Sequence, residues 1–176
     1  MTRRLAMSQK RLRGVPRHLR ALDRWAESFK DGFPDLRPTV QRGERYYNWK
    51  LPVHASLVQG KHAPTAQRAK CAELMLKACA YLMAAKPEQW KKVRVTAVIT
   101  QPDMFCSELC LYIDEAYFQS HVNAAPAEGR LSARWQLQIP ANMQEVGIAF
   151  TVEGDDGEMF PVEHWYFGEV SNDFLN

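Results

Sequence analysis

The chain has 176 residues, 46% of them hydrophobic and 24% charged, the balance of an ordinary globular protein of one domain. At this length folding buries roughly 70% of the unfolded surface, and no apolar run approaches the roughly 20 residues of a membrane span. The net charge of +3 conceals an asymmetry: residues 1–100 carry 21 Lys and Arg against 7 Asp and Glu, and residues 101–176 carry 2 against 13. Such a division either neutralises itself in the fold or gives a bipolar surface, one pole of which meets a partner of opposite sign.

Residues 1–14 hold Arg3, Arg4, Lys10, Arg11 and Arg13 and no acid, and read as a basic, flexible arm ahead of a single domain over 15–176. The arm has neither the serines nor the apolar face of a mitochondrial presequence. Pro16 suits the first turn of a helix running to about Lys30. At 100° per residue Leu19, Leu22, Trp25, Ala26 and Phe29 share one face, with His18 on the same side. Arg17, Arg20 and Arg24 lie opposite, with Asp23 and Glu27 interspersed for local ion pairing. Asp31–Gly32, Pro34 and Pro38 end the helix.

Residues 46–53, YYNWKLPV, read as a strand that Pro52 pushes towards an edge. His54 and His62 flank the following loop without a third metal ligand nearby. Thr65 is the N-cap of the longest expected helix, residues 66–86. Cys71, Leu74, Met75, Ala78, Cys79, Tyr81 and Leu82 form its apolar arc, leaving only Lys70, Glu73 and Lys77 as a solvated strip. A helix this apolar is covered on two sides, by a sheet and by the first helix.

Val93 to Asp114 reads as two strands joined at Gln101–Pro102–Asp103, with β-branched residues in period-two alternation, and forms the middle of the sheet. Residues 114–122 read as a short helix and 123–129 as a loop. Ala133, Trp135, Leu137 and Ile139 alternate as a further strand closed by Pro140, and Val146, Ile148, Phe150 and Val152 as another. Gly154–Asp155–Asp156–Gly157 has hairpin-turn composition and leads into Met159–Phe167, aromatic on both faces, where Pro161 argues for an edge. The expected fold is α+β: a mostly antiparallel sheet of five to six strands with two main helices packed on one face.

The motifs of phosphate loops, zinc proteases, serine hydrolases and Cys-x-x-Cys redox proteins are absent. Cys106 and Cys110 on one strand would stand about 13 Å apart, too far for a disulfide. Four cysteines without a secretory leader fit reduced thiols and a cytoplasmic setting. Asp103 with Glu108 resembles the paired metal-binding carboxylates of restriction-type nucleases, but Cys110 stands where such sites need a lysine. No metal or cofactor is therefore assigned. Glu153, Asp155, Asp156 and Glu158 form the densest acidic cluster, without the ligand spacing of a calcium loop.

The first amphipathic helix, the run Tyr46–Val53, the long helix from Thr65 and the hairpin with its Pro102–Asp103–Met104–Phe105 turn together resemble a family of small bacterial proteins grouped as a domain of unknown function. The similarity covers roughly residues 14–120. The resemblance implies a bacterial cytoplasm and carries no catalytic residue.

Three functions are expected in descending order. The first is a non-catalytic protein-binding module such as a toxin-immunity-type inhibitor, meeting a basic protein through Asp155, Asp156 and Glu158 with Trp165 and Tyr166 as anchors. The second is nucleic-acid binding through Arg3, Arg4, Lys10, Arg11, Arg13, Arg17, Arg20 and Arg24. The third is an enzyme whose site gathers His54, Asp103, Glu108 or His164. No pattern sets an oligomeric state.

Overall fold

A computed structural model describes residues 15–31, 39–41, 44–50, 65–86, 94–101, 107–112 and 124–170, with the backbone alone for Val15, 39–41, 44–50, Gln101 and 107–112. The basic arm, His54, His62, Asp103, Cys106 and the helix expected over 114–122 lie outside the described residues. So do the side chains of Glu108 and Cys110.

Helix α1 spans Val15–Glu27 and tightens into a 3-10 turn at Ser28–Asp31. Strands β1 (Thr39–Gln41) and β2 (Glu44–Lys50) precede the long helix α2 (Thr65–Ala85). There follow β3 (Arg94–Gln101), β4 (Ser107–Tyr112), the two-residue β5 (Ala125–Pro126) and the short helix α3 (Leu131–Trp135). Strands β6 (Gln144–Glu153) and β7 (Met159–Gly168) complete the set. The architecture is α+β, with one antiparallel sheet in the order β1-β2-β4-β3-β7-β6-β5. The β3–β4 pair accordingly lies inside the sheet.

Helix α2 touches α1 on one side and β3 and β7 on the other, which explains its apolar circumference. Leu22 and Ala26 of α1 and Phe29 of the 3-10 turn are buried with Cys71, Met75, Leu76, Cys79 and Leu82 of α2. On the sheet side the same core takes Val95, Ala97 and Ile99 of β3 and Trp165 and Phe167 of β7. Gly168 admits the close approach of the neighbouring strand: its φ is 128°, and a Cβ there would fall 2.3 Å from the carbonyl oxygen of Val95. The Cys79 thiol packs beside it and donates to the Phe167 carbonyl at 3.7 Å.

Three expectations are corrected. The alternating stretch Ala133–Ile139 is not a strand but α3 followed by an irregular segment. Glu145 of β6 accepts both the Ser132 N–H (2.9 Å) and the Ser132 hydroxyl (2.5 Å), which fixes the first turn, and Gln136 ends it with a left-handed φ of 54°. Leu131 and Leu137 are thereby turned into the core and Trp135 and Ile139 to its margin. The loop expected over 123–129 contains β5, which pairs with β6 at Ala149 and Ile148. Finally, β7 is not an edge strand. It pairs with β3 from Glu163 to Gly168 and with β6 along its whole length. Pro161 is tolerated because it lies beyond the last β3 partner.

Candidate functional site

The sheet has two unlike faces. Directly opposed residues of an antiparallel pair share a face. Gly147 with Trp165 and Glu145 with Phe167 therefore face α2, whereas Val146 with Tyr166, Ile148 with His164, Phe150 with Val162 and Val152 with Phe160 face away from it. On this second face Tyr166, Ile148 and Val170 are buried with Val98, Val146 and Phe150 packed against them. Along the stripe cover diminishes. Val152 is 44% exposed and Phe160 46%, and on the opposite face Met159 is 59% exposed.

The reason is strand length. β3 ends its pairing with β7 at Gln101–Glu163, and β5 pairs with β6 only at Ile148 and Ala149. Residues 150–153 and 159–162 therefore continue as a two-stranded ribbon with no third strand among the described residues. Its turn is closed by the Gly154 N–H donating to the Glu158 carbonyl (2.8 Å) and the Gly157 N–H to the Gly154 carbonyl (2.9 Å). Gly157 sits at φ 79°, as such a turn requires. Asp156 Oδ1 accepts the Glu158 N–H at 3.1 Å, and Phe160 lies across Gly154. Glu153, Asp155, Asp156 and Glu158 are all exposed, and among the described residues none of the four pairs with a cation.

Asp155, Asp156 and Glu158 thus share one projecting tip, while Trp165 and Tyr166, each 1% exposed, belong to the two cores and offer no surface to a partner. Trp165 is held in place. Its Nε1 donates to Glu163 Oε2 at 3.0 Å, and Arg134, bonded to the same oxygen at 2.8 Å, stacks over the indole at 5.0 Å. The exposed aromatic beside the acids is Phe160, which the sequence pattern does not single out. Its alternation with Val162 resembles that of any half-buried strand, and nothing in it says that β3 stops short.

His164 is half-buried, with Nδ1 3.3 Å from the Tyr166 hydroxyl and the Phe150 ring edge-on at 4.8 Å. Glu108 occupies the register row Glu108–Val98–Tyr166. His54 and Asp103 lie outside the described residues. Among the described residues no group of three His, Cys, Asp or Glu could hold a metal ion, and no helix is long and apolar enough to cross a membrane. Burial pushes the Cys71 thiol up to about 11, and Cys79 higher still, so neither is poised as a thiolate nucleophile.

The arginines of α1 stand apart from this tip. Asp23 and Glu27, expected to pair within their own helix, instead reach Lys77 of α2, at 3.1 Å for Asp23. Those bonds raise the Lys77 pKa, Glu27 more than Asp23. Arg17, Arg20 and Arg24 remain exposed. The Asp23–Lys77 pair walls an open depression of about 650 Å³ between α1 and α2, whose Lys70 is likewise held by Glu73 at 2.7 Å.

Residues 23–169 match the family model described as a protein of unknown function, DUF3916, a span that includes the hairpin tip and all of α2 but only the end of α1 from Asp23. No curated protein and no solved structure matches the chain.

Proposed function

We propose, for a chain that belongs to the DUF3916 family of proteins of unknown function, a non-catalytic protein-binding role. Its most concrete form is a toxin-immunity-type inhibitor of a basic protein in a bacterial cytoplasm. The observation that carries this reading is the β6–β7 ribbon, which runs past its neighbours and sets Val152, Met159 and Phe160 beside four exposed carboxylates. Apolar contact supplies affinity and the carboxylates speed encounter and select a basic partner. Asp155, Asp156 and Glu158 keep their expected part; the apolar anchors are Phe160 and Val152.

The test compares affinity capture from nuclease-treated host lysate by the wild-type protein and by a triple variant, Asp155→Lys, Asp156→Lys, Glu158→Lys. A stoichiometric basic protein that is captured by the first and lost by the second, with far-UV circular dichroism unchanged, is the expected result. Equal capture by both would remove the tip from the reading.

A second reading is favoured by one observation. Lys77 occupies both acids of α1, so Arg17, Arg20 and Arg24 form an exposed basic stripe suited to phosphates. Nucleic-acid binding there, extended by Arg3, Arg4, Lys10, Arg11 and Arg13, would weaken steeply with salt, by a slope of about 0.7–0.9 per phosphate contacted. Replacing Arg17, Arg20 and Arg24 by Ala should flatten that slope; an unchanged slope rejects it.

A further inference from the structure

The ribbon has two edges, and they are not equivalent. The Gly154–Glu158 hydrogen bond sets the phase of the ladder. In antiparallel pairing, bonded and non-bonded pairs alternate, so Val152 with Phe160 and Phe150 with Val162 exchange bonds across the ribbon. Thr151 and Glu153 on β6, and Pro161 and Met159 on β7, therefore turn their backbone groups outward. The same phase is visible further along β6, where the Ala127 N–H donates to the Gly147 carbonyl at 2.9 Å from outside the ribbon. On the β7 edge Pro161 has no N–H to offer, which blunts it for strand pairing. On the β6 edge Thr151 and Glu153 are both exposed, the described pairing with β5 runs to Ala149–Ala125, and among the described residues no strand lies beside them.

The geometry points to the β6 edge at Thr151 and Glu153 as a site of strand addition for an extended, basic segment of a partner protein. This inference rests on the protein-binding reading and specifies its geometry. The added strand would bond to the outward N–H and C=O groups of Thr151 and Glu153. Its apolar side chains would meet Val152 and Phe160 on one face, and its cations would lie beside Glu153, Asp155 and Asp156. A second copy of this chain is disfavoured, because pairing two β6 edges would bring Glu153 and the acidic turns of both copies together.

The probe is a fluorescein-labelled ten-residue peptide of alternating Lys and Val, with two N-methylated forms, each blocking one alternate set of amides. N-methylation leaves the charge intact and removes only ladder donors. The expected result is salt-sensitive binding that one N-methylated form weakens at least tenfold and the other leaves unchanged. Thr151→Pro should weaken the unmodified peptide at least tenfold, and amide NMR shifts in the wild-type protein should centre on Thr151 and Glu153. Should Thr151→Pro unfold the protein, the peptide methylation and the wild-type shifts decide alone. No binding, equal binding by all three peptides, or shifts centred elsewhere would overturn strand addition. If the peptides bind alike but the Asp155→Lys, Asp156→Lys, Glu158→Lys variant loses them, strand addition fails and the acidic-surface reading stands. If that variant binds them as well, both fail.

Discussion

Gly147 of β6 and Trp165 of β7 oppose each other so closely that a Cβ on Gly147 would lie 2.5 Å from Cζ3 of the indole. Gly147 is therefore a packing requirement rather than a turn residue. Gly147→Ala should destabilise the protein by about 1–3 kcal/mol, the usual cost of overfilling a packed site. Urea denaturation followed by tryptophan fluorescence measures it, and a loss below about 0.5 kcal/mol, the range of an ordinary surface change, would show that the indole can move aside.

Glu169 follows β7 and ties three parts of the fold together. It accepts the Val95 N–H at 3.0 Å and pairs with Lys86 at 2.5 Å, while its own N–H donates to the Val95 carbonyl at 3.0 Å. Glu169→Ala leaves a backbone donor of β3 without its acceptor and should cost about 1–3 kcal/mol. Glu169→Gln keeps an acceptor and should cost less. Equal losses in the two variants would assign the effect to the lost charge alone.

Burial raises the Cys71 thiol from 9.0 to about 11. The folded chain then keeps a proton that the unfolded chain releases, so Cys71 contributes fully below about pH 9 and its contribution falls as pH rises towards 11. Cys71→Ala should reduce the loss of urea resistance between pH 9 and 11 relative to wild type, with no change in slope below pH 8.5. Parallel profiles across the whole range would contradict the burial argument.

Phe160 at 46% exposure and Val152 at 44% do little for the fold. Phe160→Ser combined with Val152→Thr should change stability by no more than about 0.5 kcal/mol each, and should lower the fluorescence of an added hydrophobic dye. A large stability loss would mean that the stripe is structural rather than a surface for contact.

The strands that alternate were legible where both neighbours were present. Val95, Ala97 and Ile99 are buried on one face of β3, and the Gly154–Gly157 turn closes as its composition implies. The stretch Ala133–Ile139 misled because four alternating apolar residues satisfy a strand and a capped short helix alike, and the deciding contact, Glu145 with Ser132, comes from another segment. The acids of the tip were visible as a cluster, but the role of the aromatics was not. Trp165 and Tyr166 stand four and five residues after Pro161, and only the register with β3 shows that pairing begins at Glu163, putting them inside the sheet and Phe160 outside it. For the same reason Lys77 as the partner of Asp23 and Glu27 could not be read from α1 alone.

The place of β7 between β3 and β6 has a consequence for biosynthesis. A nascent chain that has emerged as far as Tyr112 can pair β3 with β4, yet Trp165 and Phe167, the part of the floor beneath α2 that β7 supplies, are still untranslated or inside the exit tunnel. Met75, Cys79 and Leu82 then face water or a chaperone until residues 159–168 arrive. Centring the sheet on strands made far apart in time makes folding wait for the C-terminal hairpin, and a ribosome stalled upstream of Met159 would display a sticky, degradable intermediate rather than a smaller folded protein.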